Sequence, residues 1–234
     1  MDAGPHTSLD PGASPARRVR RVYVWDLPVR LFHWLTVLLV AIAYVSQRMN
    51  WMQLHVRAGE TLLALVLFRL LWGCFGSETA RFARFVATPA AAWRHLRHLA
   101  RREPDVQVGH NAAGGWMVLL LLALLLVETL SGLYDYNDIA DEGPLSELVP
   151  ASVANAIAAI HAYGWDLLAA AVVLHVCAIA VYALVKRHNL LGPMVTGAKR
   201  LPATVRAPRR ASLWLAALLM AAAALVTALL AAYL

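Results

Sequence analysis

The chain has 234 residues, of which 60% are hydrophobic and 15% charged, with a formal net charge of +7. Soluble domains run about 45–50% apolar and about 25% charged, so this balance points to a membrane. It excludes a disordered chain, a collagen-like chain and a small disulfide scaffold. Two cysteines, Cys74 and Cys177, lie inside apolar runs with no CxxC or CxxCH spacing. That argues against a thiolate metal site, a redox dithiol and covalent c-type haem.

Five apolar runs reach the roughly 20 residues that a helix needs to cross a bilayer, at about 31–46, 54–75, 115–133, 158–185 and 213–234. The first is short, but Asp26 as N-cap and Pro28 in the first turn start its helix earlier and lengthen it. The first 25 residues carry Pro, Gly and Arg without an apolar core. No cleavable signal peptide is therefore expected, and the first span serves as its own insertion signal. Between the second and third runs, residues 81–102 mix Arg, Trp93 and Leu at helical spacing. They read either as a helix lying along the membrane surface or as a solvated basic loop. Pro and Arg then thicken over 201–210, a linker to a last span that has neither charge nor histidine. That span is expected to serve peripheral packing.

Charge sets the topology. Eighteen of the 21 basic residues fall before the first span, between the second and third, or between the fourth and fifth. The alternate loops hold only Arg48 and Arg57, and the longer of them is acidic, with Asp135, Asp138, Asp141, Glu142 and Glu147. The positive-inside rule predicts a cytoplasmic N-terminus and a periplasmic C-terminus in a bacterial inner membrane. With the basic excess accounted for by topology and membrane lipid, no nucleic-acid partner is expected.

Four of the nine histidines, His33, His55, His161 and His175, fall within or at the mouths of the first four spans. Ionisable residues there are costly and mark function by default. His161 and His175 are fourteen residues apart, which keeps them on one helix face and separates them by about 21 Å. His55 opens the second span level with His161, and His33 opens the first level with His175. Two facing imidazoles at each of two depths suit two six-coordinate b-type haems. Arg69 lies in mid-span fourteen residues after His55, so it faces the inner site, where a haem propionate would pair with it bidentately. Snorkelling to the surface is the competing reading. Gly59 and Gly164 follow two of the histidines closely enough to let a macrocycle approach, or to serve ordinary helix packing.

Other residues keep open roles. His110, just before the third span, suits a replacement for His33 as ligand, the lining of a quinone pocket, or an interfacial position. Glu128 reads as protonated packing or as a proton acceptor beside a quinol. His6, His95, His98 and His188 are expected in solvated tail or loop. Trp34, Trp51, Trp116 and Trp165 read as an interface belt.

The run 24–34 (VWDLPVRLFHW), 54–59 (LHVRAG) continuing to 68–72 (FRLLW), and His161 to His175 continuing to 186–194 (KRHNLLGPM) together resemble the bacterial cytochrome b561 family. That family includes hydrogenase-type b cytochrome subunits. The resemblance covers about Val22 to Lys199. It implies an all-α integral membrane protein, a four-helix transmembrane bundle with a fifth C-terminal helix added. Residues 1–21 would be a cytoplasmic tail, 22–199 a dihaem bundle, and 200–234 the linker and extra helix. It also implies two non-covalent haems b, ligated by His33 with His175 and by His55 with His161. The fifth span departs from the minimal pattern, and His110 matches no ligand motif clearly.

The leading expectation is a dihaem cytochrome passing electrons across the membrane between a quinone or quinol pool and a redox partner, such as a c-type cytochrome or an oxidoreductase subunit. The alternative is an anchor and electron-relay subunit of a larger oxidoreductase. A haem-free transporter or scaffold is a third reading, but broken spans and repeat symmetry, the usual marks of a transporter, are missing from the sequence. No nucleophile–base pair suggests a stand-alone catalyst, so the chain reads as an electron-transfer protein.

Overall fold

The computed structural model describes residues 19–98, 104–134 and 149–232. The acidic stretch 135–148 and the tail before Val19 lie outside them. Among the described residues, five helices are long and apolar enough to cross a membrane.

The first transmembrane helix, α1 (Leu27–Arg48), starts where its residues dictate. Asp26 accepts a hydrogen bond from the Val29 amide at 2.9 Å, and Pro28 sits in the first turn. Extended in this way, the helix has 22 residues, enough to span. A tight turn with Asn50 at φ 58°, a left-handed conformation that Asn tolerates, leads into α2 (Met52–Phe75). This helix is the centre of the molecule. Leu62, Leu63, Leu65, Val66, Phe68 and Trp72 are all buried. The Trp72 indole donates to the second carboxylate oxygen of Asp26 at 3.0 Å, so the α1 cap is also locked to α2.

The segment read as a surface helix or a solvated basic loop forms two short helices, α3 (Phe82–Phe85) and α4 (Pro89–Arg97). Pro89 disfavours the helical region for the residue before it, and Thr88 is accordingly extended and caps α4. Residues 99–103 lie outside the description. The third span is α5 (Ala112–Gly132), capped by Asn111, which accepts from the Gly114 amide at 2.7 Å. The fourth, α6 (Ala151–Val181), runs 31 residues and closes in a π-helical turn over Tyr182–Lys186.

A small sheet was not anticipated. Strand β1 (Val19–Tyr23) pairs antiparallel with β2 (Ala198–Pro202), in the register Val19 to Pro202 and Tyr23 to Ala198. The short helix α7 (Leu191–Thr196) leads into β2. Val22 and Leu201 turn inward and join a core with Trp25, Phe68 and Trp72. Leu201→Ala is therefore expected to cost about 2–5 kcal/mol, read as a lower melting temperature in detergent. An unchanged melting temperature would mean that the sheet lies outside the cooperative unit.

The last span, α8 (Leu213–Ala232), packs along α2 through Ala216, Ala223 and Thr227. The linker before it is docked as well. Glu78 accepts from the Arg209 amide at 2.9 Å and Ser77 from the Ala211 amide at 3.0 Å. The Arg209 amide, with the nearby arginines, holds the Glu78 carboxyl below its ordinary range.

Candidate haem centres

The four membrane-depth histidines meet in two pairs. His33 of α1 faces His175 of α6 with ring centres 6.5 Å apart, and His55 of α2 faces His161 of α6 at 6.2 Å. The first pair lies toward the side that carries the sheet and the basic loops, here the basic side. The second lies toward the opposite side, about 21 Å away along α6. Metal–imidazole bonds of about 2.0–2.1 Å, plus roughly 1.1 Å from nitrogen to ring centre on each side, put two axial imidazole centres about 6.3 Å apart. Both pairs match that span. Among the described residues no three His, Cys, Asp or Glu side chains cluster as metal ligands. Each site thus offers two nitrogens, and a bound metal must bring its remaining ligands with it, as a porphyrin iron does.

The opposite-side pair is oriented from behind. His55 Nδ1 lies 2.8 Å from the Ala43 carbonyl oxygen, which can only accept, so Nδ1 carries the proton and Nε2 is left as the ligand atom. His161 repeats the device, its Nδ1 lying 3.0 Å from the Glu128 carbonyl and 3.1 Å from the Ser131 hydroxyl. Outer partners of this kind fix tautomer and ring orientation in metal sites. A Glu128 carboxylate oxygen also approaches His161 Nδ1 at 3.3 Å. The two glycines part company here. A Cβ at Gly164 would fall 2.1 Å from the other Glu128 oxygen, whereas one at Gly59 would meet nothing within 4 Å. Gly164 therefore makes room for a carboxylate, and Gly59 leaves open space beside His55.

Unpaired donors concentrate around the basic-side pair. The Arg30 Nε, His33 Nδ1, Arg69 Nη1 and His110 Nδ1 atoms are all buried without a hydrogen-bond partner. Buried polar groups are ordinarily satisfied, and the two orphaned guanidinium donors among these, of Arg30 and Arg69, fit an acidic group that belongs there. Haem propionates have that chemistry. Arg69 is only 2% exposed and lies over the Phe82 ring at 5.1 Å. It does not snorkel.

His110 sits between the Trp25 and Phe85 rings, with centres 4.6 and 4.7 Å away. Burial, followed by the positive charge of Arg69, pushes its pKa down to about 3, so the ring is neutral. Gly109, at φ 87°, turns the chain so that His110 enters a cavity of about 220 Å³ shared with Thr79, Arg84, Phe85 and Arg206. His110 pairs with no second imidazole as the four ligand candidates do.

Two histidines expected in solvent do not lie free. His95 hydrogen-bonds and stacks on Tyr182, whose hydroxyl also accepts from the Asn111 amide group at 2.7 Å. His188 packs against the same ring. Asn111 went unread as a helix cap, although Asn before an apolar run is the local signal for one, and its second bond to Tyr182 joins residues 71 positions apart with no local signature. Of the four tryptophans read as an interface belt, Trp34, Trp51 and Trp116 are exposed, while Trp165 stacks on Tyr44 at 5.1 Å.

Comparison with known proteins places the chain in a family. The family model described as prokaryotic cytochrome b561 matches residues 24–197. A probable Ni/Fe-hydrogenase B-type cytochrome subunit of Bradyrhizobium diazoefficiens is 28% identical over 47% of this chain and 56% of its own. A probable Ni/Fe-hydrogenase 1 B-type cytochrome subunit of Escherichia coli K12 is 27% identical over 48% and 60%. One from Azotobacter chroococcum is 24% identical over 80% and 91%. The chain thus spans little more than half the length of the first two relatives. No solved structure matches it. With five membrane-crossing helices and a family match over most of its length, this chain is a multi-pass membrane protein that belongs to the prokaryotic cytochrome b561 family.

Proposed function

We propose that this chain is the membrane electron-relay subunit of a larger oxidoreductase and holds two b-type haems. His33 and His175 would ligate one, His55 and His161 the other. The observation that carries this reading is the pair of facing imidazoles at each of two depths, 6.5 and 6.2 Å apart. The kinship with hydrogenase B-type cytochrome subunits favours the relay role over a free-standing cytochrome.

Bound haem supplies the one-electron chemistry. The chain's own residues do the rest. Ala43 and Glu128 carbonyls hold two ligand rings in the tautomer that presents Nε2. Arg69 and its neighbours offer donors to propionates, and the apolar residues between the pairs, Val66, Leu125 and Leu168, keep water out. A quinone is the reading for the electron acceptor or donor on the basic side, supported by the cavity beside neutral His110. The distribution of arginine and lysine supports a cytoplasmic basic side and a bacterial inner membrane.

The test is haem stoichiometry. Acid-acetone should extract all haem from the purified protein, and a pyridine haemochrome assay should give close to two equivalents per chain. A value near zero would sink the cytochrome reading, and one equivalent would mean that one pair is misassigned.

A further inference from the structure

The last turn of α5 is built around one side chain of α6. Glu128, Ser131 and Gly132 are spaced i, i+3 and i+4, so they share a helix face, and that face meets the His161 ring. Among the described residues, three oxygens lie close to His161 Nδ1. They are the Glu128 carbonyl at 3.0 Å, the Ser131 hydroxyl at 3.1 Å and a Glu128 carboxylate oxygen at 3.3 Å. A Cβ at Gly132 would lie 3.1 Å from His161 Cε1, so the helix backbone sits close against the ring. The single Nδ1 proton goes to the carbonyl, the nearest acceptor. The carboxylate therefore brings charge to this ring rather than a hydrogen bond.

Glu128 is the one acidic residue buried among the described residues, at 8% exposure. It lies in a membrane span, where an ionisable group is costly and marks function by default. Among the described residues no Lys or Arg pairs with it, and its one charged contact is His161. Its other oxygen, Oε1, is buried without a hydrogen-bond partner in the notch at Gly164, where a Cβ would fall 2.1 Å away. Packing alone would be served by an apolar side chain, with no glycine needed opposite. Nor does Glu128 face the cavity at His110, because that cavity opens before the start of α5 and Glu128 is about 24 Å further along the helix.

We propose, resting on the two-haem reading, that Glu128 is a positioning residue for the haem ligated by His55 and His161. It acts through the His161 imidazole to lower that haem's reduction potential. Reduction adds one electron to the iron and takes one unit of positive charge from the haem. A carboxylate 3.3 Å from Nδ1, poorly screened by water, favours the ferric state and raises the basicity of the ligand ring. Hydrogen bonds around the axial ligands and their burial are among the levers by which a protein sets haem potential. The basic-side pair has the opposite surroundings. There the buried charge is the Arg69 guanidinium, and His33 Nδ1 has no hydrogen-bond partner.

Redox titration of the purified holoprotein at one fixed pH tests this, following the optical and EPR signals of each haem. The basic-side haem serves as the internal reference. Glu128→Gln keeps the shape of the side chain and removes its charge. It should raise the potential of the His55–His161 haem by about 59 mV, a tenfold change in its reduction equilibrium, while the other haem moves far less. Glu128→Asp keeps the charge on a shorter stem and should hold the potential nearer to wild type than to Glu128→Gln. Ser131→Ala removes only a neutral neighbour and should shift the potential much less than Glu128→Gln does. Gly164→Ala closes the notch, drives the carboxylate away and should act in the same direction as Glu128→Gln. It decides the matter if Glu128→Gln fails to hold haem. An unshifted His55–His161 haem at full occupancy in the deciding variant would overturn the proposal, and so would equal shifts of both haems. A wild-type chain without haem would end the two-haem reading and this inference with it, whereas two haems with unmoved potentials would end this inference alone.

Discussion

His161→Ala is expected to halve the haem content, removing the haem on the side opposite the basic loops while the other keeps its spectrum and potential. His175→Ala should do the reverse. The reasoning is geometric. Both histidines lie on α6, about 21 Å apart along the axis, and each faces a different partner, His55 at 6.2 Å and His33 at 6.5 Å. Loss of one imidazole would leave a single histidine at that depth to hold the haem, and no third side chain to replace it among the described residues. The other pair is fixed by different helices, α1 with α6 rather than α2 with α6. Reduced-minus-oxidised spectra with haem quantification read the outcome. If either substitution strips both haems from a chain that still inserts in the membrane, the two sites are not independent and the two-depth arrangement is wrong.

Why the pairing was legible in the sequence, and other features were not, follows from range. A helix of known direction fixes depth and face from residue number alone. His161 and His175 therefore had to share a face, and the short α1–α2 turn forced His55 to run back from the level where α1 ends. The same arithmetic said that Arg69 faces the basic-side site, and its burial at 2% exposure removes the snorkelling alternative. The start of α1 was equally readable, since Asp26 and Pro28 act within one turn.

Contacts between segments distant in sequence left no such trace. The β1–β2 sheet joins residues about 180 positions apart, through five-residue stretches of mixed Arg and apolar character that resemble linker. The Asn111–Tyr182–His95 cluster and the docking of Arg209 on Glu78 are likewise set by how the bundle closes. Which of its two readings Gly164 takes, helix packing, likewise rests on a distant contact. The residue that needs its missing side chain is Glu128, on a neighbouring helix. The role of α8 was the least readable of all, because a uniformly apolar helix has no face marked in its sequence.

Arg69→Leu is expected to lower the midpoint potential of the basic-side haem and loosen it, leaving the other haem nearly unchanged. Arg69 is buried over Phe82, with Nη1 lacking any partner, so its charge is poorly screened by water. Ferrous haem carries one positive charge fewer than ferric haem, and a nearby cation therefore favours the reduced state. Removing that charge should lower the potential by on the order of tens of millivolts, since about 1.4 kcal/mol of lost charge interaction is about 59 mV for a one-electron couple, and a paired propionate offsets part of the field. The same substitution deletes a charge-assisted hydrogen bond to the propionate, worth about 1.5–3 kcal/mol, and so should raise the rate at which apomyoglobin strips this haem. Arg69→Lys separates the two effects. It keeps the charge and hence most of the potential, but it gives up the bidentate fork and should release haem faster than wild type. Spectroelectrochemical titration of the three proteins decides the matter. If the potential and the haem-loss rate are both unshifted in Arg69→Leu at full occupancy, Arg69 serves only to pack against Phe82, and the orphaned donors on the basic side need another acidic partner.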